Sequence, residues 1–121
     1  LDKLAKLPNI GEMDTLVIGV WQEAYDLDAY EILEKLIELK DTFSGLKHLF
    51  IGDMNAEECE MSWIAQANYS NFHPHFPALE TFGVRGGTEL KLGEINLPNL
   101  KNLYFNAIKL QYKILIFNLL Y

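Results

Sequence analysis

The sequence is short of three things, and each shortage removes a class of reading. Of its 121 residues only one is cysteine, Cys59. No internal disulfide can form, which fits a reducing compartment such as a cytoplasm and argues against a secreted, disulfide-capped domain. Basic residues are the second shortage. Ten Lys and Arg stand against seventeen Asp and Glu, a formal net charge of -7. The cations are scattered, so neither a nucleic-acid backbone nor an anionic membrane surface would meet the positive patch that supplies most of such affinity. Third, no apolar run is long. Ile114 to Tyr121 falls well short of the roughly 20 residues that span a bilayer. No signal peptide is visible, although the chain opens on Leu1 and is expected to lack its native N-terminal part. There is no Gly-x-Ser-x-Gly, no paired carboxylate at catalytic spacing and no nucleotide-binding loop. The expectation is a protein that is not an enzyme and has no cofactor.

What is present is a repeated string. Half the residues are hydrophobic, enough for a core, and the length suits one domain. Leu46-Lys47-His48-Leu49-Phe50-Ile51 has the form Leu-x-x-Leu-x-Ile. Met13-Asp14-Thr15-Leu16-Val17-Ile18, Leu79-Glu80-Thr81-Phe82-Gly83-Val84 and Leu100-Lys101-Asn102-Leu103-Tyr104-Phe105 resemble it. From Met13 to Leu46 is 33 residues, from Leu46 to Leu79 again 33, and from Leu79 to Leu100 is 21. Periods of this size mark stacked repeats, although strands alternating with helices also permit an ordinary parallel α/β sheet.

Between the strings, Asp28 to Phe43 has the spacing of a helix packed by one face. Ala29, Ile32, Leu33, Leu36, Ile37 and Phe43 form its stripe. Asp28 and Glu31 stand at capping-box spacing, Glu31 and Lys35 at the spacing of an exposed ion pair, and Ser44-Gly45 ends the helix. Leu1 to Leu7 suits the end of another helix, stopped at Pro8-Asn9. A shorter helix is expected within Asn55 to Ala67, and Asn68 to Pro77, with two prolines, reads as loop.

At these residues a family resemblance can be stated. The four strings look like leucine-rich repeats. Leu16-Val17-Ile18-Gly19-Val20-Trp21, Leu49-Phe50-Ile51-Gly52-Asp53 with Ser62-Trp63-Ile64, and Val84-Arg85-Gly86-Gly87 are similar to a family of bacterial cytoplasmic leucine-rich-repeat proteins without an established biochemical activity. The resemblance covers about Gly11 to Phe105. It implies an α/β solenoid of about four repeats over residues 1–121, with a curved parallel sheet on the concave side and helices and loops on the convex side. It also implies action by protein contact, and brings no catalytic residues. Two features depart from the pattern. The ninth repeat position, usually Asn or Cys, is Trp21, Met54, Gly87 and Ile108, so the internal Asn ladder is missing. Residues 109–121 do not continue the repeat. They are expected to form an extra edge strand, a degenerate cap or a truncated end, and to pack on another copy or lack order.

Strand alternation then selects a candidate binding face. The outward residues include Thr15 and Val17. Those carried forward as binding residues are His48, Phe50, Thr81, Arg85, Asn102, Tyr104 and Asn106, because aromatics with Arg are enriched at binding hot spots. The plainer reading is that exposed aromatics favour β structure. Asp53, Glu57, Glu58 and Glu60 read as a solvated loop rather than a cation site. His73-Pro74-His75 with Cys59 lacks the ligand count of a zinc centre, so no metal is expected and the histidines are placed on a loop surface. Trp21 and Trp63 are read as packing residues. Gly86-Gly87 reads as a turn and not a phosphate cradle. The partner implied is a protein of unstated identity, with self-association through the apolar C-terminal end as the alternative.

Overall fold

Four short strands whose alternate residues are Leu, Ile, Phe or Val must bury one face, and they do so side by side. The computed structural model describes residues 1–21, 28–54, 57, 64–86, 90–107 and 110–116, with side chains as far as Phe105. Strands β1 (Thr15–Ile18), β2 (His48–Ile51), β3 (Thr81–Arg85) and β4 (Asn102–Ala107) form a parallel sheet in chain order. β5 (Leu110–Ile116) adds to β4 in antiparallel sense. The fold is thus mixed α/β with four parallel strands. Of the readings open for the C-terminal end, the backbone takes that of an extra edge strand.

The register follows the sequence periods. Thr15 pairs with His48 and His48 with Thr81, each 33 residues on, and Thr81 pairs with Asn102, 21 residues on. Burial explains why this register wins. Leu16, Leu49, Phe82 and Leu103 share one row and are at most 8% exposed. A slip of one residue would turn all four to the other face. The strand entries repeat one device. The carbonyls of Asp14, Lys47 and Glu80 each accept two backbone N–H bonds from the next strand's entry, at 2.7–3.0 Å. The exits of β2 and β3 share another. Gly52 and Gly86 follow the strands with φ of 102° and 122°, in the left-handed region where a side chain is strained.

Helix α2 (Tyr30–Glu38) covers the inward face of the sheet. Ala29, Leu33 and Leu36 are buried and Ile32 and Ile37 half-buried, so the stripe faces as its spacing predicts. The expected end at Phe43 is too late. The helix stops at Glu38 and residues 39–45 continue as turns, with Lys40 N bonding the Ile37 carbonyl at 3.2 Å. Asp41 and Thr42 are poor helix formers, and Phe43 is drawn into the core at 1% exposure. Asp28 does not cap the helix: Ala29 holds the N-cap position, and Asp28 lies one residue before it. Its Oδ1 accepts the Tyr30 N–H at 2.9 Å, a two-residue turn rather than the three-residue reach of a capping box. Lys35 does not pair with Glu31. Its ammonium sits 2.9 Å from Glu38 and 3.3 Å from Asp2, which ties α2 to the short helix α1 (Asp2–Ala5).

The segment before β3 differs most from expectation. Residues 64–67 are not helical. Ile64, Ala65, Gln66 and Ala67 are all buried in succession, which an extended strip enclosed on both sides can do and a one-faced helix cannot. The remainder of the helix expected there, with Cys59, Glu58, Glu60 and Trp63, lies outside the described residues. Residues 68–77, read as loop, supply core. Tyr69, Phe72 and Phe76 are at most 3% exposed. Phe72 stacks on Phe76 at 4.9 Å, and Tyr69 meets Phe82 of β3 edge-on at 5.4 Å. This cluster fills, under β3, the place that Leu33, Leu36 and Phe43 fill under the preceding strands. No helix among the described residues is long and apolar enough to cross a membrane.

Candidate interaction face

The outward residues of the four parallel strands fall into rows across the sheet. Thr15, His48, Thr81 and Asn102 make the first, and Val17, Phe50, Gly83 and Tyr104 the second. Arg85 and Asn106 stand together in the third. All seven residues carried forward from the sequence therefore lie on one sheet, in adjoining rows. The two sides of the sheet contrast. Val17 is 53% exposed, Thr15 is exposed, and His48, Phe50, Thr81, Asn102 and Tyr104 are half-buried, whereas their inward neighbours are closed off. No described element covers the outward side.

The second row has internal structure. Gly83 sits beneath the ring of Phe50. A Cβ built on Gly83 would fall onto Cδ2 of that ring and 2.8 Å from its Cε2. The ring therefore lies across the neighbouring strand, toward the Tyr104 side, instead of standing upright. Val17, Phe50 and Tyr104 thus stand in one apolar and aromatic row, with the Gly83 gap seating the Phe50 ring.

The third row is held from behind. Gln66 is fully buried, and its Nε2 donates to the Arg85 carbonyl at 2.8 Å and lies 3.5 Å from that of Ile51. Its Oε1 accepts the Tyr69 hydroxyl at 2.6 Å. One amide thus ties Tyr69 to the end of β3 and lies beside the end of β2, where the sequence has Met54 in place of a ladder Asn. Burial holds the Tyr69 hydroxyl well above its ordinary pKa, so it stays a donor. Sequence reasoning missed both residues. For Tyr69 a signal was present: Tyr69, Phe72, His73 and Phe76 are spaced like the buried stripe of a helix, in a stretch whose prolines suggested loop.

The histidine reading needs correction. His73 is not at the surface but 1% exposed, packed edge-on to Phe82 at 5.2 Å. Its Nε2 donates to the Leu92 carbonyl at 3.0 Å, while Nδ1 is buried without a partner. Burial pulls its pKa below the ordinary value, against the opposing effect of that hydrogen bond. It is a neutral core residue, and His75 is half-buried. Among the described residues no cluster of three metal-ligating side chains forms. Trp21 packs against Met54 and Ile64, as a packing residue should. Asp53 and Glu57 are exposed. On the helix side, an open cleft of about 500 Å³ lies between α2 and residues 68–72, lined by Tyr30, Leu33, Glu34, Ile37, Glu38 and Phe72 among others.

Comparison with known proteins adds a fold match. No family model and no curated protein matches this chain. A crystal structure of a protein from Bacteroides fragilis superposes with a TM-score of 0.79 at 31% sequence identity, over 88% of this chain and 30% of that one. The chain therefore spans less than a third of the length of the protein it matches, and the two share the mixed α/β fold over this part.

Proposed function

We propose that the chain is a protein-interaction module: a small leucine-rich-repeat solenoid that takes a partner protein on the concave face of its sheet, by contact and without catalysis. The observation that carries this reading is the strip of Val17, Phe50 and Tyr104, in register and open, with the Phe50 ring seated over Gly83. Large aromatic side chains beside an arginine are the residue types that dominate binding energy at protein interfaces. The strand register, offset by 33, 33 and 21 residues, supports the solenoid: each interval is one unit that buries its apolar side only by stacking on the next. The cytoplasmic setting rests on the single cysteine. Wild-type chain and a Phe50→Ala/Tyr104→Ala variant should differ in a pull-down. The wild type retains a partner that the variant loses, while circular dichroism and the urea midpoint stay close. Retention by the variant removes the proposal.

A second reading, a scaffold segment or self-associating part of a larger repeat protein, is favoured by the open outer edge of β1. Among the described residues no strand pairs there. Size-exclusion chromatography at increasing concentration separates the two, because only self-association shifts the elution volume.

A further inference from the structure

Arg85 is the only arginine of the chain. It stands at the end of β3 on the open face, in register with Asn106 of β4. Its Nε is shut off from solvent and makes no hydrogen bond. No ion pair joins it to a described carboxylate; those formed belong to Lys35 and Lys101. A guanidinium remains charged at any ordinary pH and offers five donors in a flat fork that matches a carboxylate. The residue as a whole is half-buried, and its terminal nitrogens, which are not shut off as Nε is, are left to meet an acceptor from outside.

A second observation points to the same class of ligand. The chain carries a net charge of -7, yet none of the outward positions of the four parallel strands is Asp or Glu. Asp14 and Asp53 fall beyond the strand ends, and Glu34 and Glu38 lie on the helix side. The outward positions hold one cation, Arg85. Asp14, whose carboxylate takes the Thr15 hydroxyl, and Glu80, beside His48, border the strand entries, whereas the Arg85 end of the face has no acid among its outward strand positions and is the part complementary to negative charge. Gly83 and Arg85 are two residues apart on β3, so the aromatic strip and the guanidinium are separated by roughly 6.7 Å along the strand.

Resting on the interaction reading above, we infer that this face takes an extended acidic protein segment. One carboxylate of the segment closes on the Arg85 fork, and an apolar side chain two residues away lies on the Phe50–Tyr104 strip. The carboxylate pairs with the terminal nitrogens of the fork, and the strip excludes water from the pair, which strengthens it.

Three capped peptides, Leu-Thr-Phe-Thr-Xaa with Xaa as Glu, Gln or Lys, test this by NMR titration of the ¹⁵N-labelled full chain. The Glu peptide is expected to shift the amides of Phe50, Gly83, Arg85 and Tyr104. The Gln peptide should bind about tenfold more weakly, as a lost charge-assisted hydrogen bond implies, and the Lys peptide more weakly still. Arg85→Gln should level Glu with Gln, and Arg85→Lys should restore part of the difference. Equal binding of the Glu and Gln peptides, a preference that survives Arg85→Gln, or no shift on this face with any peptide overturns the inference. The pull-down separates it from the reading on which it rests. A partner lost by Phe50→Ala/Tyr104→Ala but held by Arg85→Gln sinks the inference alone; a partner held by both sinks the interaction reading.

Discussion

Gln66→Leu removes a fully buried amide while nearly conserving side-chain volume, and the structure sets what it should cost. Two groups lose their partner: the Arg85 carbonyl, 2.8 Å from Nε2, and the Tyr69 hydroxyl, 2.6 Å from Oε1. The 3.5 Å approach to the Ile51 carbonyl is too long to count. Each buried group left unsatisfied costs about 1–3 kcal/mol, so the variant should lose about 2–6 kcal/mol. That is a large share of the ~5–15 kcal/mol that holds a domain of this size. Tyr69→Phe strands only the Gln66 Oε1. In the double variant the hydroxyl and Oε1 are both gone, and the Arg85 carbonyl alone remains unsatisfied. The double variant should therefore be less damaged than the sum of the singles, with a coupling of about 2 kcal/mol or more. Urea unfolding followed by tryptophan fluorescence and circular dichroism reads all four proteins. Losses that add within about 0.5 kcal/mol, the usual tolerance for independent sites, would falsify the amide's role as the link between Tyr69 and the end of β3.

Two further outcomes follow from the core and the face. His73 is buried neutral with its pKa lowered, so below the ordinary value the unfolded chain binds a proton that the folded one does not. Its contribution is fully present above about pH 6.5 and falls with acid by about 1.4 kcal/mol per pH unit until the lowered value is reached. Urea midpoints between pH 7.5 and 5 should drop for the wild type and stay flatter for His73→Phe; parallel curves would refute this. Gly83→Ala drives a Cβ into the Phe50 ring. That ring is half-buried and can swing outward, so the stability cost should sit near the ~1 kcal/mol low end for overpacking, while partner capture is lost. A nuclear Overhauser contact between the Phe50 ring and the Gly83 Hα should be present in the wild type and absent in the variant.

The sheet was legible in the sequence because burial is periodic there. Leu16, Leu49, Phe82 and Leu103 alternate with polar, small or aromatic partners, and their spacing sets the register to the residue. Once the register is known, the rows of the outward face follow, and Gly83 necessarily lies beside Phe50. That the ring lies flat over it did not follow, because a glycine gap on a strand reads the same whether or not a neighbour fills it. The stretch 64–76 was misread for a different reason. Its side chains answer to volume, not to a local period. The sheet needs filling under β3, and Tyr69, Phe72 and Phe76 fill it from turns and a short 3₁₀ segment at His73–His75. Prolines rule out a regular helix but do not rule out burial. Gln66 was hidden because a buried glutamine is recognised only by its acceptors, and these are backbone carbonyls that no sequence pattern marks.

This division bears on how changes to the face can be interpreted. The inward residues and the Gln66 tie hold the strands from one side, and the described fold draws almost nothing from the outward side apart from the contact of Phe50 with Gly83. Phe50, Arg85 and Tyr104 are only half-buried, and no described hydrogen bond or ion pair runs through their side chains. A residue that the fold does not use but that is nonetheless large, aromatic or charged is not explained by stability. Replacing Phe50 and Tyr104 by Ala removes apolar area that is already partly in water, so less is lost than the ~3–5 kcal/mol of a fully buried Phe→Ala. Binding should therefore respond to these positions before folding does. If it does not, the composition of the strip reflects β propensity alone, and the working surface must be sought on the helix side, at the cleft beside Tyr30 and Phe72.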